Sequence, residues 1–203
     1  MPHLSRRKNF AMQQEPIAVG RRVLVWGATG SGKTTFARRL GAMLGLPAIE
    51  LDALFWNANW VDTPAEEFKA RVSAALASAA GGWVCDGNYR GRLGDLALTQ
   101  ADTVVWLHLP WRVSFWRVFK RTVGRAWTKE QMWAGNTESW RLGFMSKDSI
   151  LWWSISHHQD AVRNARAGLA TLGSGQQAYE LRSAREVEAF LDRVQAGASV
   201  ASR

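Results

Sequence analysis

The stretch Gly27-Ala28-Thr29-Gly30-Ser31-Gly32-Lys33-Thr34 decides the fold. It matches the GxxxxGK[ST] phosphate-loop pattern, and it lies between an apolar run at 22–27, typical of a buried strand, and a predicted helix over 33–44. The glycines permit backbone angles at which successive N–H groups face phosphate oxygens, and the helix adds its positive N-terminal end. Lys33 is expected to reach the β- and γ-phosphates, and the Thr34 hydroxyl to supply a ligand for Mg²⁺. The sequence therefore predicts binding of a nucleoside triphosphate, ATP, together with Mg²⁺.

A dinucleotide-binding loop of the Rossmann type is the main competing interpretation, because Asp52 follows at a suitable distance. Glycines at 27, 30 and 32 do not fit the GxGxxG pattern, however, and such a loop would give Lys33 and Thr34 no role. A glycine-rich turn without a ligand is the weaker alternative, because the strand and helix signals flank the motif in the correct order. Triphosphate binding is the better interpretation.

Strand-like and helix-like segments alternate along the chain. Apolar runs predict four further strands, at 48–52, 83–86, 103–109 and 178–181. Capping boxes at 63–66 and 183–186 predict helices that run to about residues 80 and 196, and apolar periodicity predicts two more, over 111–127 and 151–172. The predicted fold class is α/β: a three-layer phosphate-loop NTPase fold with a mainly parallel sheet of about five strands.

The expected domain organisation is simple. Residues 21–197 are expected to form one domain, with an acceptor-side helical segment at 53–82 and a basic lid region at 111–150. Residues 1–20 are expected to form a flexible basic tail and residues 198–203 a disordered one.

Composition excludes several classes of protein. Among 203 residues, 47% hydrophobic and 21% charged residues exclude a disordered or collagen-like chain. The net charge of +9 favours an anionic partner. Cys85 is the only cysteine, and no run of 18 apolar residues indicates a membrane span, so we expect a cytoplasmic protein without membrane association. A monomer or homodimer is expected.

The chain resembles a known family over residues 21–195. The resemblance is carried by Gly27–Thr35, by Leu46-Pro47-Ala48-Ile49-Glu50-Leu51-Asp52 with Phe55, Trp56 and Trp60, and by Trp83-Val84-Cys85-Asp86-Gly87-Asn88-Tyr89. These blocks are similar to those of the adenylate-kinase-related phosphate-loop proteins known as DNA topology modulation proteins. The resemblance implies a nucleotide-kinase-like fold with a helical lid, and ATP and Mg²⁺ as ligands, but it defines no acceptor. His108 stands where the family more often carries Asp, so it receives no role.

Two carboxylates are candidates for the site. Asp86 ends a predicted strand and matches the Asp-Gly step of adenylate-kinase-like proteins, so we expect it to hold Mg²⁺ together with Thr34. Asp52 is expected to close the strand 48–52; in related small-molecule kinases an acid at this place contacts the acceptor hydroxyl, which implies a catalytic role in positioning it. Capping of the following turn remains an alternative for both residues. The expected acceptor-pocket residues are Trp56, Trp60, Asn88, Tyr89 and Arg90.

The segment 111–147 carries eight Lys or Arg residues against Glu130 and Glu138. Apolar residues at helical spacing predict that one face of its helix packs inward, namely Phe115, Phe119, Val123 and Trp127. Arg117 and Arg121, which share another face with Arg125, are the first candidates for stabilising the transferred phosphate, with Arg90 and Arg141 as second choices. A solvated basic face is the alternative, and a single-stranded nucleic-acid surface that also uses Trp116, Trp127, Trp133 and Trp140 is a weaker one.

The sequence thus predicts an ATP-dependent phosphotransferase that acts on a small-molecule acceptor. Two alternatives remain open: a nucleotide-dependent regulatory or DNA-associated protein, and a simple ATPase. His157 and His158 lack further ligands at metal spacing, so no metal is assigned to them.

Overall fold

Five parallel strands form a single sheet in the computed structural model, which describes residues 16–128, 131–137 and 150–201. Their order across the sheet is β2-β3-β1-β4-β5, and every neighbouring pair is parallel. The strands are β1 (Arg22–Gly27), β2 (Ala48–Glu50), β3 (Trp83–Asp86), β4 (Thr103–Leu107) and β5 (Gln177–Leu181). Because helices cover both faces, β3 and β4 are buried along their whole length. The predicted three-layer α/β fold with a parallel sheet of about five strands is confirmed.

The helices form two layers around this sheet. Phe36 and Leu40 of α1 pack with Phe190 and Leu191 of α8 on one face. Phe68 of α3 and Ala165 of α7 belong to the core of the other face. The helices are α1 (Lys33–Leu44), α2 (Leu51–Phe55), α3 (Ala65–Ser78), α4 (Arg90–Leu93), α5 (Trp111–Thr128), α6 (Ile150–Ser156), α7 (His158–Leu169) and α8 (Ala184–Ala201), with 3₁₀ turns at Ala58–Trp60 and Trp133–Gly135. None of the helices in the described part of the chain has the length and hydropathy needed to cross a membrane.

Several predicted boundaries were wrong. β2 ends at Glu50 and α2 begins at Leu51, so Asp52 lies in the first turn of a helix and does not close a strand. β4 ends at Leu107, and the helix predicted over 151–172 is two helices, α6 and α7. α8 continues to Ala201, past the expected domain end at 197. Within the predicted tail, Ile17 is buried and its N–H donates to the Arg193 carbonyl at 3.2 Å, so residues 16–20 belong to the domain.

The two predicted capping boxes behave differently. At α8 the prediction is confirmed, because the Glu186 N–H donates to Ser183 Oγ at 3.2 Å. At α3 it is wrong: the Thr63 hydroxyl is buried and donates to the Phe55 carbonyl at 2.6 Å, and no side chain caps the helix. Thr63 therefore anchors the segment before α3 to α2.

The buried face of α5 also differs from the prediction. Its buried residues are Ser114, Val118, Thr122 and Ala126, whereas Trp127 is 81% exposed. The whole helix is thus rotated by about 100°, one residue, from the expected orientation. Small side chains face inward because α5 lies directly against the phosphate loop: a Cβ atom built on Gly30 would be 2.3 Å from the Ser114 carbonyl oxygen.

Candidate nucleotide and acceptor site

The phosphate loop connects β1 to α1 at the carboxyl edge of the sheet. Gly30 has φ +80° and Gly32, which caps α1, has φ +93°, a region that side chains with a Cβ rarely adopt. These two left-handed residues turn the chain, and the Ser31 N–H donates to the Ala28 carbonyl at 3.0 Å. The first turn of α1 follows directly, so the loop and the helix N-terminus present the backbone geometry of an anion site.

Lys33 lies over this loop. Its Nζ donates to the Gly27 carbonyl at 2.8 Å and to the Ala28 carbonyl at 3.2 Å. Desolvation lowers the pKa of Lys33, and the nearby carboxylates of Asp52 and Asp86 oppose that change. The Lys33 ammonium group therefore binds to the phosphate loop itself, close to the backbone N–H groups of the loop.

Thr34 joins two strand ends. Its Oγ1 donates to Asp86 Oδ2 at 2.7 Å and lies 3.3 Å from Glu50 Oε1. Glu50 and Asp86 are register partners on β2 and β3, which explains why the two carboxylates meet at one point. Sequence reasoning missed Glu50; the signal was available, since it ends a strand at the same sheet edge as Asp86.

Asp86 is a carboxylate in an unfavourable environment. It is 4% exposed, and desolvation raises its pKa to about 6, against the lowering effects of the Thr34 hydrogen bond and the Lys33 charge. Glu50 and Asp52 raise it further. A buried carboxylate with like-charged neighbours gains most from a cation, which makes this corner a candidate metal position.

The donor atoms at this corner fit Mg²⁺. The Thr34 hydroxyl and the carboxylates of Asp86 and Glu50 are hard oxygen ligands, the type that Mg²⁺ prefers in proteins. Within the described residues no group of three or more His, Cys, Asp or Glu side chains is arranged to hold a metal by itself. Mg²⁺ at a nucleotide site commonly takes one or two carboxylates and completes its shell with phosphates and water, so the donor set matches that use.

Asp52 and Tyr89 form a second polar pair. The Tyr89 hydroxyl donates to Asp52 Oδ1 at 2.5 Å. Burial and the Asp52 carboxylate raise the pKa of Tyr89 far above its usual value, so the phenol stays protonated and can only donate to this oxygen. The bond fixes the direction of the Asp52 carboxylate although Asp52 lies in α2 and not at a strand end.

Two predicted acceptor residues have structural partners. Asn88 clamps the phosphate loop: its Oδ1 accepts from the Gly27 N–H at 3.3 Å, and its Nδ2 donates to the Gly27 carbonyl. Arg90 forms an ion pair with Asp95 at 2.6 Å. Tyr89 and Arg90 also line a small, largely apolar cavity with Leu51 and Leu93. Asn88 therefore holds the loop, and Arg90 stands at the rim of the apolar cavity.

The two lid arginines lie near the loop in different ways. Arg117 Nη1 donates to the Ser31 carbonyl at 3.1 Å, so this guanidinium holds the loop backbone. The positive charge of Arg121 helps to lower the pKa of Lys33. Arg141, like Glu130, Glu138 and Trp140, lies outside the described residues.

Trp56 and Trp60 form an aromatic bridge with Trp133. The ring centroids are 5.4 Å apart for Trp56–Trp60 and 6.3 Å for Trp60–Trp133. The buried Asn136 side chain joins the same segments, because its Oδ1 accepts from the Trp60 N–H at 3.0 Å and its Nδ2 donates to the Asn57 carbonyl at 2.8 Å. The 3₁₀ turn at Ala58–Trp60 is thereby tied to residues 131–137. Sequence reasoning missed Asn136, since its partners are distant in the chain.

His108 belongs to a separate group. Its Nδ1 lies 2.6 Å from Glu180 Oε1, and its ring stacks on Trp106 with centroids 4.1 Å apart. Arg182 also binds Glu180, at 2.9 Å. His108 is therefore held by a carboxylate of the next strand, β5.

Comparison with known proteins gives structural neighbours only. Models of known protein families and curated proteins gave no match. Among solved structures, the chain is similar to a shikimate kinase from Bacteroides thetaiotaomicron (17% identity, TM-score 0.48, covering 88% of this chain and 98% of that chain). It is also similar to a shikimate kinase from Acinetobacter baumannii in complex with shikimate (14%, 0.49, 94% and 97%) and to a gluconokinase from Sinorhizobium meliloti 1021 (19%, 0.45, 90% and 97%). The fold assignment rests on the strand order and the phosphate loop of this chain.

Proposed function

We propose that the protein is an ATP-dependent phosphotransferase that uses Mg²⁺ to move the γ-phosphate to a small-molecule acceptor. One observation carries the proposal. Two polar pairs lie near Lys33, Thr34–Asp86 at 2.7 Å and Tyr89–Asp52 at 2.5 Å, and both carboxylates raise its pKa against the effect of burial. The Thr34–Asp86 pair suits the nucleotide side of a transfer reaction, and the Tyr89–Asp52 pair suits the acceptor side.

On the nucleotide side, the loop amides and the N-terminus of α1 bind the phosphates. Lys33 exchanges the carbonyls of Gly27 and Ala28 for phosphate oxygens, which compensate its charge better than two neutral acceptors do. Thr34 and Asp86 hold Mg²⁺, with Glu50 beside them. When bound, Mg²⁺ neutralises charge on the phosphate oxygens.

On the acceptor side, the Asp52 carboxylate accepts a hydrogen bond from the acceptor hydroxyl and orients its oxygen. Tyr89 occupies one carboxylate oxygen, so the other remains for the acceptor. Phosphoryl transfer needs positioning more than base strength, so this orientation is the main contribution of Asp52. Arg121 supplies positive charge from α5, and Arg117 keeps the loop in place.

Membership of the DNA topology modulation family belongs to the same proposal, as do a cytoplasmic location and a small-molecule acceptor such as a nucleotide or a polyol. The motifs at 27–35, 46–52 and 83–89 support the family assignment. The Trp60–Asn136 contact closes the acceptor side with a second segment, which favours a small acceptor over a polymer.

The test is a screen of nucleoside monophosphates and small polyols with labelled ATP and Mg²⁺. Lys33→Met should abolish transfer, because it removes the cation that reaches the phosphates. Lys69→Met is the matched control, since Lys69 lies on α3 in an ion pair with Glu66. Undiminished transfer by Lys33→Met would refute the assignment, and phosphate release that no acceptor changes would identify a simple ATPase.

A further inference from the structure

The solvent side of α5 carries an apolar stripe that the proposed function does not use. We call Val113, Trp116, Lys120, Val123 and Trp127 the outer face of α5: four apolar residues, of which Val123 is half-buried, and one exposed lysine, spaced by three and four residues along the helix. Val113 is 39% exposed, Trp116 58% and Trp127 81%. Side chains of this size and exposure on one helix face mark an interaction surface.

The neighbouring residues extend this surface. A cleft beside the outer face is lined by Trp111, Phe115 and Trp116 together with Arg112. Helix α6, which contacts α5, exposes Trp152 and Ile155. The cleft therefore adds aromatic side chains and Arg112 to the outer face, and α6 exposes two further apolar side chains.

The charge of α5 indicates the kind of partner. The helix contains five Arg or Lys residues and no acidic residue. Two copies of the outer face packed against each other would bring the Lys120 side chains of both copies into the contact, so the surface is poorly suited to self-association. Its complement is an anionic partner.

The positions of the cations on α5 distinguish between two kinds of anionic partner, a nucleic acid and a lipid surface. Arg117 binds the Ser31 carbonyl and so points to the phosphate loop, while Lys120 and Arg112 lie at or beside the outer face. A nucleic acid needs many phosphate contacts along its strand, and two cations at this face provide few of them. Tryptophan and valine flanked by a few cations are instead the composition of helices that lie in the headgroup region of a membrane.

We propose that the outer face of α5 docks on an anionic lipid surface. The helix is about 27 Å long and lies along the surface of the domain, so Trp116 and Trp127 enter the headgroup region while Lys120 and Arg112 contact lipid phosphates. The attachment is peripheral. This proposal rests on the outer face of α5 alone, and it does not depend on whether the protein is a phosphotransferase.

The experiment is co-sedimentation of the full chain with vesicles of phosphatidylcholine containing phosphatidylglycerol, beside vesicles of phosphatidylcholine alone. We expect binding to the anionic vesicles that weakens with salt. The double variant Trp116→Ala/Trp127→Ala should bind at least about tenfold more weakly, because it removes the two largest apolar contacts. Both side chains are well exposed, so its thermal unfolding should match that of the wild type.

Charge reversal gives an independent check. Lys120→Glu should weaken vesicle binding, whereas Lys69→Glu, with the same change in net charge on α3, should not. Failure of the wild type to sediment with anionic vesicles would overturn the proposal, as would equal binding by the double variant. Dimerisation that depends on Trp116 and Trp127, or Trp-dependent binding of a single-stranded oligonucleotide without vesicle binding, would also overturn it and identify the other partner.

Discussion

The phosphate side and the acceptor side of the site are built in different ways. The phosphate side is one continuous turn, residues 27–34, joined by two register partners on adjacent strands, Glu50 and Asp86. The acceptor side depends on contacts between distant segments, and the Trp60–Asn136 hydrogen bond spans 76 residues of chain. Backbone conformation therefore defines the first region, whereas tertiary packing defines the second. Substitutions should separate the two.

The largest effect is expected at the phosphate loop itself. Gly30→Ala places a Cβ in the left-handed region and 2.3 Å from the Ser114 carbonyl, so the loop and α5 must separate. We expect a loss of about 2–5 kcal/mol in the free energy of unfolding, together with loss of nucleotide binding. Urea unfolding and calorimetry measure these two quantities.

Gly124→Ala is the control for this substitution. Gly124 lies in α5 with open space around the position of a Cβ, so alanine should be neutral or stabilising there. A Gly30→Ala protein as stable as the Gly124→Ala protein, with unchanged nucleotide binding, would show that the close approach of α5 does not constrain the loop.

Substitution of Asp86 is expected to have a smaller effect on the free energy of unfolding, and this effect has the opposite sign. Its pKa is raised to about 6, so the folded state carries an unfavourable buried charge above that pH. Asp86→Asn should therefore raise the free energy of unfolding at pH 8 by about 2–3 kcal/mol, and the gain should shrink as the pH falls from 6 towards 4, where the native carboxyl is protonated. The same variant should lose Mg²⁺-dependent nucleotide binding. Urea unfolding across this pH range gives the test, and a gain that grows on acidification would contradict it.

The smallest effect is expected on the acceptor side. Asn136→Ala leaves the Trp60 N–H and the Asn57 carbonyl without their partner, which should cost about 1–2 kcal/mol in the free energy of unfolding. Nucleotide affinity should not change, because no atom of Asn136 touches the phosphate loop in the described hydrogen bonds. Asn164→Ala, at an exposed position of α7, is the control. Weakened ATP binding by Asn136→Ala alone would mean that the two sides are not separable.

The contrast also explains what the sequence could predict. The loop, its strand and its helix were predicted with the observed boundaries, because glycine spacing and local apolar pattern determine them. Asp86 followed from the same reasoning, since it ends a buried strand. Asn136 was missed because its partners belong to a turn far away in sequence, and no local pattern indicates such a contact.

Helix α5 shows where periodicity misleads. Apolar size favoured Phe115, Phe119, Val123 and Trp127 as the inner face, but the inner face consists of Ser114, Val118, Thr122 and Ala126. A helix that packs against a backbone loop needs small side chains at the contact, so the larger aromatic residues point elsewhere. An amphipathic pattern identifies the helix, but the neighbouring element decides which face is buried.

The most direct test of the account is calorimetry of Mg²⁺–ATP with the wild-type chain, the Lys33→Met variant and the Lys69→Met control. We predict a binding heat for the wild type and the control, and affinity at least about tenfold lower for Lys33→Met, because Lys33 provides a charge-assisted contact to phosphate. The absence of heat from the wild type with ATP and every other common triphosphate, or equal affinity in Lys33→Met, would contradict the assignment of residues 27–34 as a nucleotide site.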